Sequence, residues 1–183
     1  MIPEYMTAMV FEDINVIKAR QVPTPKPGRG EALVKIMASG LCITDVHVLQ
    51  GTFAHSKPPC VLGHEIAGQI VAFGEEQPWP HSLKLHQRVV IETMIACGQC
   101  PQCLSGFKNL CENGGDIGEP PFQGGYSEYI TMPVGNLHPI PDNMSYEEAA
   151  IFESFVCPVG GLVRIGINQG DTVLIQGLGP AGL

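Results

Sequence analysis

Four cysteines crowd one short stretch of this chain, Cys97, Cys100, Cys103 and Cys111, in the pattern C-x2-C-x2-C-x7-C. Thiols spaced this closely fold around a single ion, and a fourth sulfur from a short loop closes a tetrahedron. The stretch has almost no apolar residues from which to build a core, so a closed metal site is what would order it. An iron–sulfur cluster also takes four thiolates, and the spacing alone leaves zinc and iron open. A disulfide framework is the weaker reading. The N-terminus has no charged segment followed by an apolar one, and no apolar run is long enough to span a bilayer. That predicts a cytoplasmic protein with reduced thiols, where clustered cysteines bind metal.

A second donor set lies upstream. Cys42-Ile43-Thr44-Asp45-Val46-His47 is followed by Gly63-His64-Glu65. One thiolate, one imidazole and one carboxylate suit a borderline-soft ion such as zinc, with a coordination position left for water or substrate. Thr44 carries a hydroxyl and His47 an imidazole, two groups that can move protons. Asp45 is placed to accept a hydrogen bond from the ring nitrogen of His64 that does not face the ion.

Composition bounds the rest. Hydrophobic residues make up 44% and charged residues 15%, which is globular, and 22 Gly with 16 Pro favour short strands and turns over long helices. The net charge of −8 argues against nucleic acid and anionic membranes as partners. Residues 7–22 read as a hairpin, Glu31–Ser39 and Ile66–Phe73 as strands, and Arg88–Glu92 as another. Gly68 marks a bulge or a close backbone approach, and Gly74 a turn. Residues 124–132 read as a strand led by glycines. Ser145 with Glu148 is a capping box opening a helix. His55 reads as an exposed loop residue, and Trp79, His81 and His86 as structural. Cys60 and Cys157 read as small core residues. Near the end, Asp171–Gln176 reads as an apolar strand running into Gly177-Leu178-Gly179-Pro180-Ala181-Gly182. This G-x-G-x-x-G turn lets backbone N–H groups approach a pyrophosphate, which makes Gly177, Gly179 and Gly182 candidate cofactor-binding residues.

The pair C-x-T-D-x-H and G-H-E-x-x-G-x5-G resembles the zinc-containing medium-chain alcohol and polyol dehydrogenases, and the resemblance covers essentially the whole chain. It implies a GroES-like, partly open β-barrel at 1–150, mainly β with short helices, carrying a structural-zinc lobe at 95–113. Residues 151–183 would be a hinge helix and the opening strand and glycine turn of a truncated Rossmann domain. It implies zinc at both donor sets, with Cys42 and His64 as ligands and Glu65 and Glu153 completing or exchanging in the shell. The polyol branch has Glu-Pro-Leu where this chain has Glu153-Ser154-Phe155, and other alcohol dehydrogenases place a Cys ligand where Ser154 stands. The whole protein is then expected to be a homo-oligomer moving hydride between a small alcohol or polyol and NAD or NADP. The 183 residues, as a fragment, are expected to be inactive. A metal-stabilised structural or binding domain without catalysis is the alternative.

Overall fold

The computed structural model describes residues 1–53, 56–75 and 83–182. His55, Trp79 and His81 lie outside them. In chain order the elements are β1 (Tyr5–Asp13), β2 (Val16–Pro23), β3 (Glu31–Ser39), α1 (Ile43–Leu49), β4 (Cys60–Val61), β5 (Ile66–Phe73), β6 (Arg88–Ile91), β7 (Met94–Ile95), α2 (Pro101–Leu104), β8 (Gly115–Asp116), β9 (Tyr129–Pro133), β10 (Leu137–Pro139), α3 (Tyr146–Ala150) and α4 (Phe152–Ile165).

The expected hairpin is β1 with β2, turning at Asn15 with φ 58°. An amide-bearing residue tolerates that left-handed conformation better than most. The main sheet has five strands in the order β10-β6-β5-β3-β9, and its described neighbours all run antiparallel. A three-stranded sheet, β2-β1-β4, and a two-stranded one, β7-β8, complete the framework. The sheets stay open and do not close into a barrel. A register shift between Ile36 and Ala38 falls opposite Gly68 and Ala67, the irregularity that Gly68 signalled.

Alternation along the strands splits the core. Val34, Ile66, Ile70, Val89, Ile91, Ile130 and Met132 pack on one side of the main sheet. Ala67 and Val90 pack on the other against Ile140, Ala149 and Ala150, which seats α3. Phe11, Val48, Cys60 and Leu62 form a third cluster that fixes α1 to the hairpin. Arg88 ties β6 to the turn before α3: its guanidinium sits 4.5 Å from the Tyr146 ring centroid and donates to the carbonyls of Asp142 and Met144. His86 is exposed in a turn, with φ 64°.

Three expectations change. The strand drawn over 124–132 begins only at Tyr129, because residues 124–126 spend their N–H groups on Val61, Gly63 and Leu62 carbonyls across the loop. The helix opened by the capping box ends at Ala150, and Glu153 belongs to the next helix, α4. The strand drawn over 171–176 is absent: the segment has no ladder partner among the described residues, and Leu174 is 93% exposed. A buried-strand sequence becomes a strand only beside another one. No helix among the described residues is long and apolar enough to cross a membrane.

The capping box forms as expected. Ser145 Oγ accepts from Glu148 N at 3.1 Å, and Glu148 Oε2 accepts from Ser145 N at 2.7 Å. These hydrogen bonds from Ser145 hold the Glu148 carboxyl below its ordinary 4.5. Ser145→Ala should destabilise the chain by about 1 kcal/mol, lowering the thermal midpoint by about 2–4 °C. The Glu148 contribution is present above the unfolded glutamate pKa and is lost as pH falls through its depressed folded value. Thermal melts from pH 7 to pH 3 should therefore show a smaller acid loss for Glu148→Gln than for the parent.

Candidate metal centres

The first centre is assembled by the pairing of β3 with β5. Their register runs to Ser39 opposite Ile66, and Gly40 N then donates to Glu65 O at 2.7 Å. Cys42, just past the end of β3, therefore lies beside His64 and Glu65, just before β5. One donor atom from each of Cys42, His64 and Glu65 lies within 4.8 Å of the other two. Glu65 is buried, and Ser154 Oγ on α4 donates to its Oε1 at 2.8 Å. A carboxylate out of water is costly without a cation or donors around it, so sulfur, imidazole and buried carboxylate fit a divalent ion. Two glycines permit the approach. A Cβ on Gly40 would lie 1.9 Å from Glu65 Oε2, and one on Gly63, where φ is +95°, would lie 2.6 Å from the Tyr126 ring.

Asp45 caps this arrangement differently from the expectation. His64 Nδ1 is 3.7 Å from Asp45 Oδ1, an ion-pair separation and too long for a hydrogen bond. The carboxylate instead accepts from Gly63 N at 3.2 Å, Cys42 N at 3.2 Å and the Tyr126 hydroxyl at 2.7 Å. The two backbone donors pull Asp45 between the motif halves, which holds it back from the imidazole. Burial first, and then the Asp45 hydrogen bond, push the Tyr126 phenol well above its ordinary value, so it stays a donor. Sequence reasoning missed Tyr126. The glycines at 124 and 125 were the available signal, since they bend the chain back over Leu62 and Gly63.

Thr44 Oγ1 is 3.5 Å from Cys42 Sγ, whereas His47 is exposed on α1. Thr44, His64, Asp116, Glu119, Glu153 and Cys157 line a cavity of about 410 Å³ that reaches the centre at His64. Glu153 shares that cavity but is not in the close donor set. Burial raises its carboxyl above the ordinary value; His64 opposes this, and Glu65 and Asp116 add to it. Cys157 is exposed on α4 and not a core residue, while Cys60 is buried as expected. Cys157 faces the open side of that cavity and not a packed core.

The second centre gathers all four clustered sulfurs within 4.8 Å of one another. Cys100 Sγ and Cys111 Sγ are 3.9 Å apart; a tetrahedron with 2.3 Å metal–sulfur bonds needs about 3.8 Å. Backbone N–H groups already point at the sulfurs, Cys97 N to Cys111 Sγ at 3.2 Å and Cys100 N to Cys97 Sγ at 3.4 Å. Hydrogen bonds from Gln99 and Cys100 N–H draw the Cys97 thiol down to about 6, while burial and then Cys100 and Cys111 push Cys103 up to about 12. One thiol is poised to ionise and another resists, so an ion must displace the remaining protons.

The glycine turn builds no comparable site. No strand leads into Gly177, Gly182 N is spent on Gly179 O at 2.8 Å, and Gly182 closes on the Gly177 carbonyl. These glycines do not fit a dinucleotide in this arrangement.

Gly63→Ala tests the assembly of the first centre. The positive φ alone costs about 1–3 kcal/mol for a residue with a side chain, and the Tyr126 ring must also move. The variant should lose the metal of this centre while keeping that of the cysteine lobe, read by elemental analysis after gel filtration.

The family model for the alcohol dehydrogenase GroES-like domain matches residues 28–142. The chain is 36% identical to a sorbitol dehydrogenase of Bacillus subtilis (strain 168), over 100% of its own length and 52% of that protein's. It is 41% identical to an L-galactonate-5-dehydrogenase of Escherichia coli (strain K12), over 97% and 51%. Among solved structures it resembles an acetophenone reductase from Geotrichum candidum in complex with NAD, with a TM-score of 0.83 and 36% identity over 92% of this chain and 50% of that one. It also resembles a cobalt- and zinc-bound thermostable alcohol dehydrogenase from Pyrobaculum aerophilum, with a TM-score of 0.79 and 30% identity over 91% and 50%. The chain spans about half the length of the curated relatives it matches. It belongs to the alcohol dehydrogenase GroES-like domain family, within the zinc-containing medium-chain dehydrogenases.

Proposed function

We propose that the whole protein is a zinc-dependent oxidoreductase that moves hydride between a small alcohol or polyol and NAD or NADP. The observation that carries this reading is the close set of Cys42, His64 and Glu65 donors, of which His64 also lines a cavity large enough for a small ligand. The similarity to a cobalt- and zinc-bound alcohol dehydrogenase and to a reductase in complex with NAD supports the two cofactors. Bound at the first centre, zinc would polarise a hydroxyl oxygen and lower its pKa towards neutrality. Cys42, His64 and Glu65 would hold it, and Cys97, Cys100, Cys103 and Cys111 would hold a second zinc in a closed site without room for substrate.

The chain's own residues do the rest. Thr44, in the cavity wall, is placed to take the substrate hydroxyl proton at Oγ1 while passing its own hydroxyl proton on. His47 is three residues on, one helical turn away and exposed, and so serves to release that proton to solvent. Asp45 ties Cys42 to Gly63 and faces His64 Nδ1 at 3.7 Å. The cavity lining contains hydroxyls, Asn109 and carboxylates, and no Lys or Arg among its described residues. That suits a neutral polyhydroxy compound better than an anion. Cofactor binding belongs to the whole protein, since the glycine turn by itself offers no cradle.

Two measurements test this. The purified chain should carry about two zinc ions, one resistant to mild chelation and one labile. Cys42→Ser should remove the labile one and Cys103→Ser the other. Glu153→Ala should also empty the first centre, while Cys157→Ala leaves both filled; release of zinc by Cys157→Ala alone would reassign the fourth ligand. In the second measurement, titrating NADH against these 183 residues should give no fluorescence enhancement, and no alcohol oxidation should be seen. Turnover by this stretch alone would overturn the division of labour.

A further inference from the structure

We propose that Tyr126 is a positioning residue for the Cys42/His64/Glu65 centre, acting through Asp45; the inference rests on the reading of that centre as a metal site. Asp45 is the buried residue through which the two motif halves meet. Its Oδ1 accepts from Gly63 N and faces His64 Nδ1, and its Oδ2 accepts from Cys42 N. The remaining capacity of Oδ2 goes to the Tyr126 hydroxyl at 2.7 Å, the shortest contact the carboxylate makes. Tyr126 has one proton to give. The carbonyl of Gly40 also lies 3.1 Å from its oxygen, but a charged acceptor at the shorter distance takes the proton.

The phenol comes from a remote part of the chain, and its backbone is held on both sides. Tyr126 N donates to Leu62 O at 2.9 Å, and Met9 N donates to Tyr126 O at 2.8 Å. Its ring lies flat enough on Gly63 that no Cβ fits between them. The hydroxyl therefore cannot follow a moving carboxylate; it fixes one. Pinning Oδ2 sets the direction from which the charge of Oδ1 faces His64 Nδ1 at 3.7 Å. Drawing charge from the carboxylate also moderates its pull on the ring. Outer partners of a ligating histidine commonly govern metal affinity about 10–100-fold. Tyrosine is thus required here for its oxygen, beyond its ring.

The test uses the 183-residue chain with the cysteine lobe loaded with zinc and Co(II) titrated into the first centre. Tyr126→Phe keeps the ring on Gly63 and removes only the hydroxyl. It should weaken Co(II) binding about 10-fold and shift the visible ligand-field band. The lobe's zinc content and the melt of the metal-free chain serve as controls for a general loss of structure. Asp45→Asn should weaken Co(II) binding in the same way, and adding Tyr126→Phe to it should cost less than threefold more, because the two act as one unit. Additive losses would mean a packing role and overturn the proposal. If Tyr126→Phe fails to fold, Asp45→Asn alone decides: unchanged affinity and band overturn the proposal. Cys42→Ser separates the two levels. If it abolishes the band while Tyr126→Phe changes nothing, the positioning role falls and the metal site stands. If Cys42→Ser leaves the band intact, the metal reading itself is wrong.

Discussion

The register between β3 and β5 is the constraint on which the site depends. Cys42 and His64 are far apart in sequence, and nothing local brings them together. They meet because the two strands pair antiparallel up to Ser39 and Ile66, so that the residues leaving one strand sit beside those entering the other. Side chains alternate with period two, and a slip of one residue would turn the core-facing set outward. Val34, Ile66 and Ile70, all buried, oppose any such slip. The energy that fixes the donor geometry is thus hydrophobic and lies in the sheet. The polar groups at its end inherit their positions from it.

The cysteine lobe follows the opposite logic. Between β7 and β8 the chain has one four-residue helix and a single 3-10 turn, and Leu104, Phe107 and Leu110 are exposed. There is no apolar cluster to order it. Structural zinc in small thiolate sites contributes about 10–16 kcal/mol, far more than this loop gains by burying Cys100. The backbone N–H groups aimed at the sulfurs show that the loop is already shaped for negative charge there. The main sheet is held by burial, whereas the lobe has donors in place of a core. The first centre stands at the end of that buried sheet, with Glu65 itself buried.

Much of this was legible in the residues. The bounds of β3 and β5, the hairpin, the capping box and both donor sets follow from period-two patterning, turn chemistry and ligand spacing. What escaped was anything fixed by contact across the chain. Asp45 sits in the right place for His64, but the backbone donors of Gly63 and Cys42 hold it at 3.7 Å, a balance no spacing reveals. Tyr126 looks in sequence like one more aromatic residue of a strand. Its role comes from the turn that folds over Gly63. Ser154 reads as the loss of a cysteine ligand, yet its hydroxyl supports the Glu65 carboxylate at 2.8 Å. A residue that does not ligate can still govern one that does.

The region after Ala150 shows why composition alone does not make an element. Helix α4 forms because its hydrogen bonds are internal to it, even with Phe152, Phe155, Val159 and Leu162 exposed. Residues 171–176 also carry an apolar run, Val173 to Ile175, but a strand needs a neighbour to take its N–H and C=O groups, and none is present among the described residues. The same asymmetry decides the chemistry. The metal donors stand on pairings made among the described residues, so their geometry is formed. The glycine turn depends on a strand to aim it, and without one it closes on itself, Gly182 against Gly177. The first donor set is built by the β3–β5 register, whereas the glycine turn has no strand among the described residues to aim it.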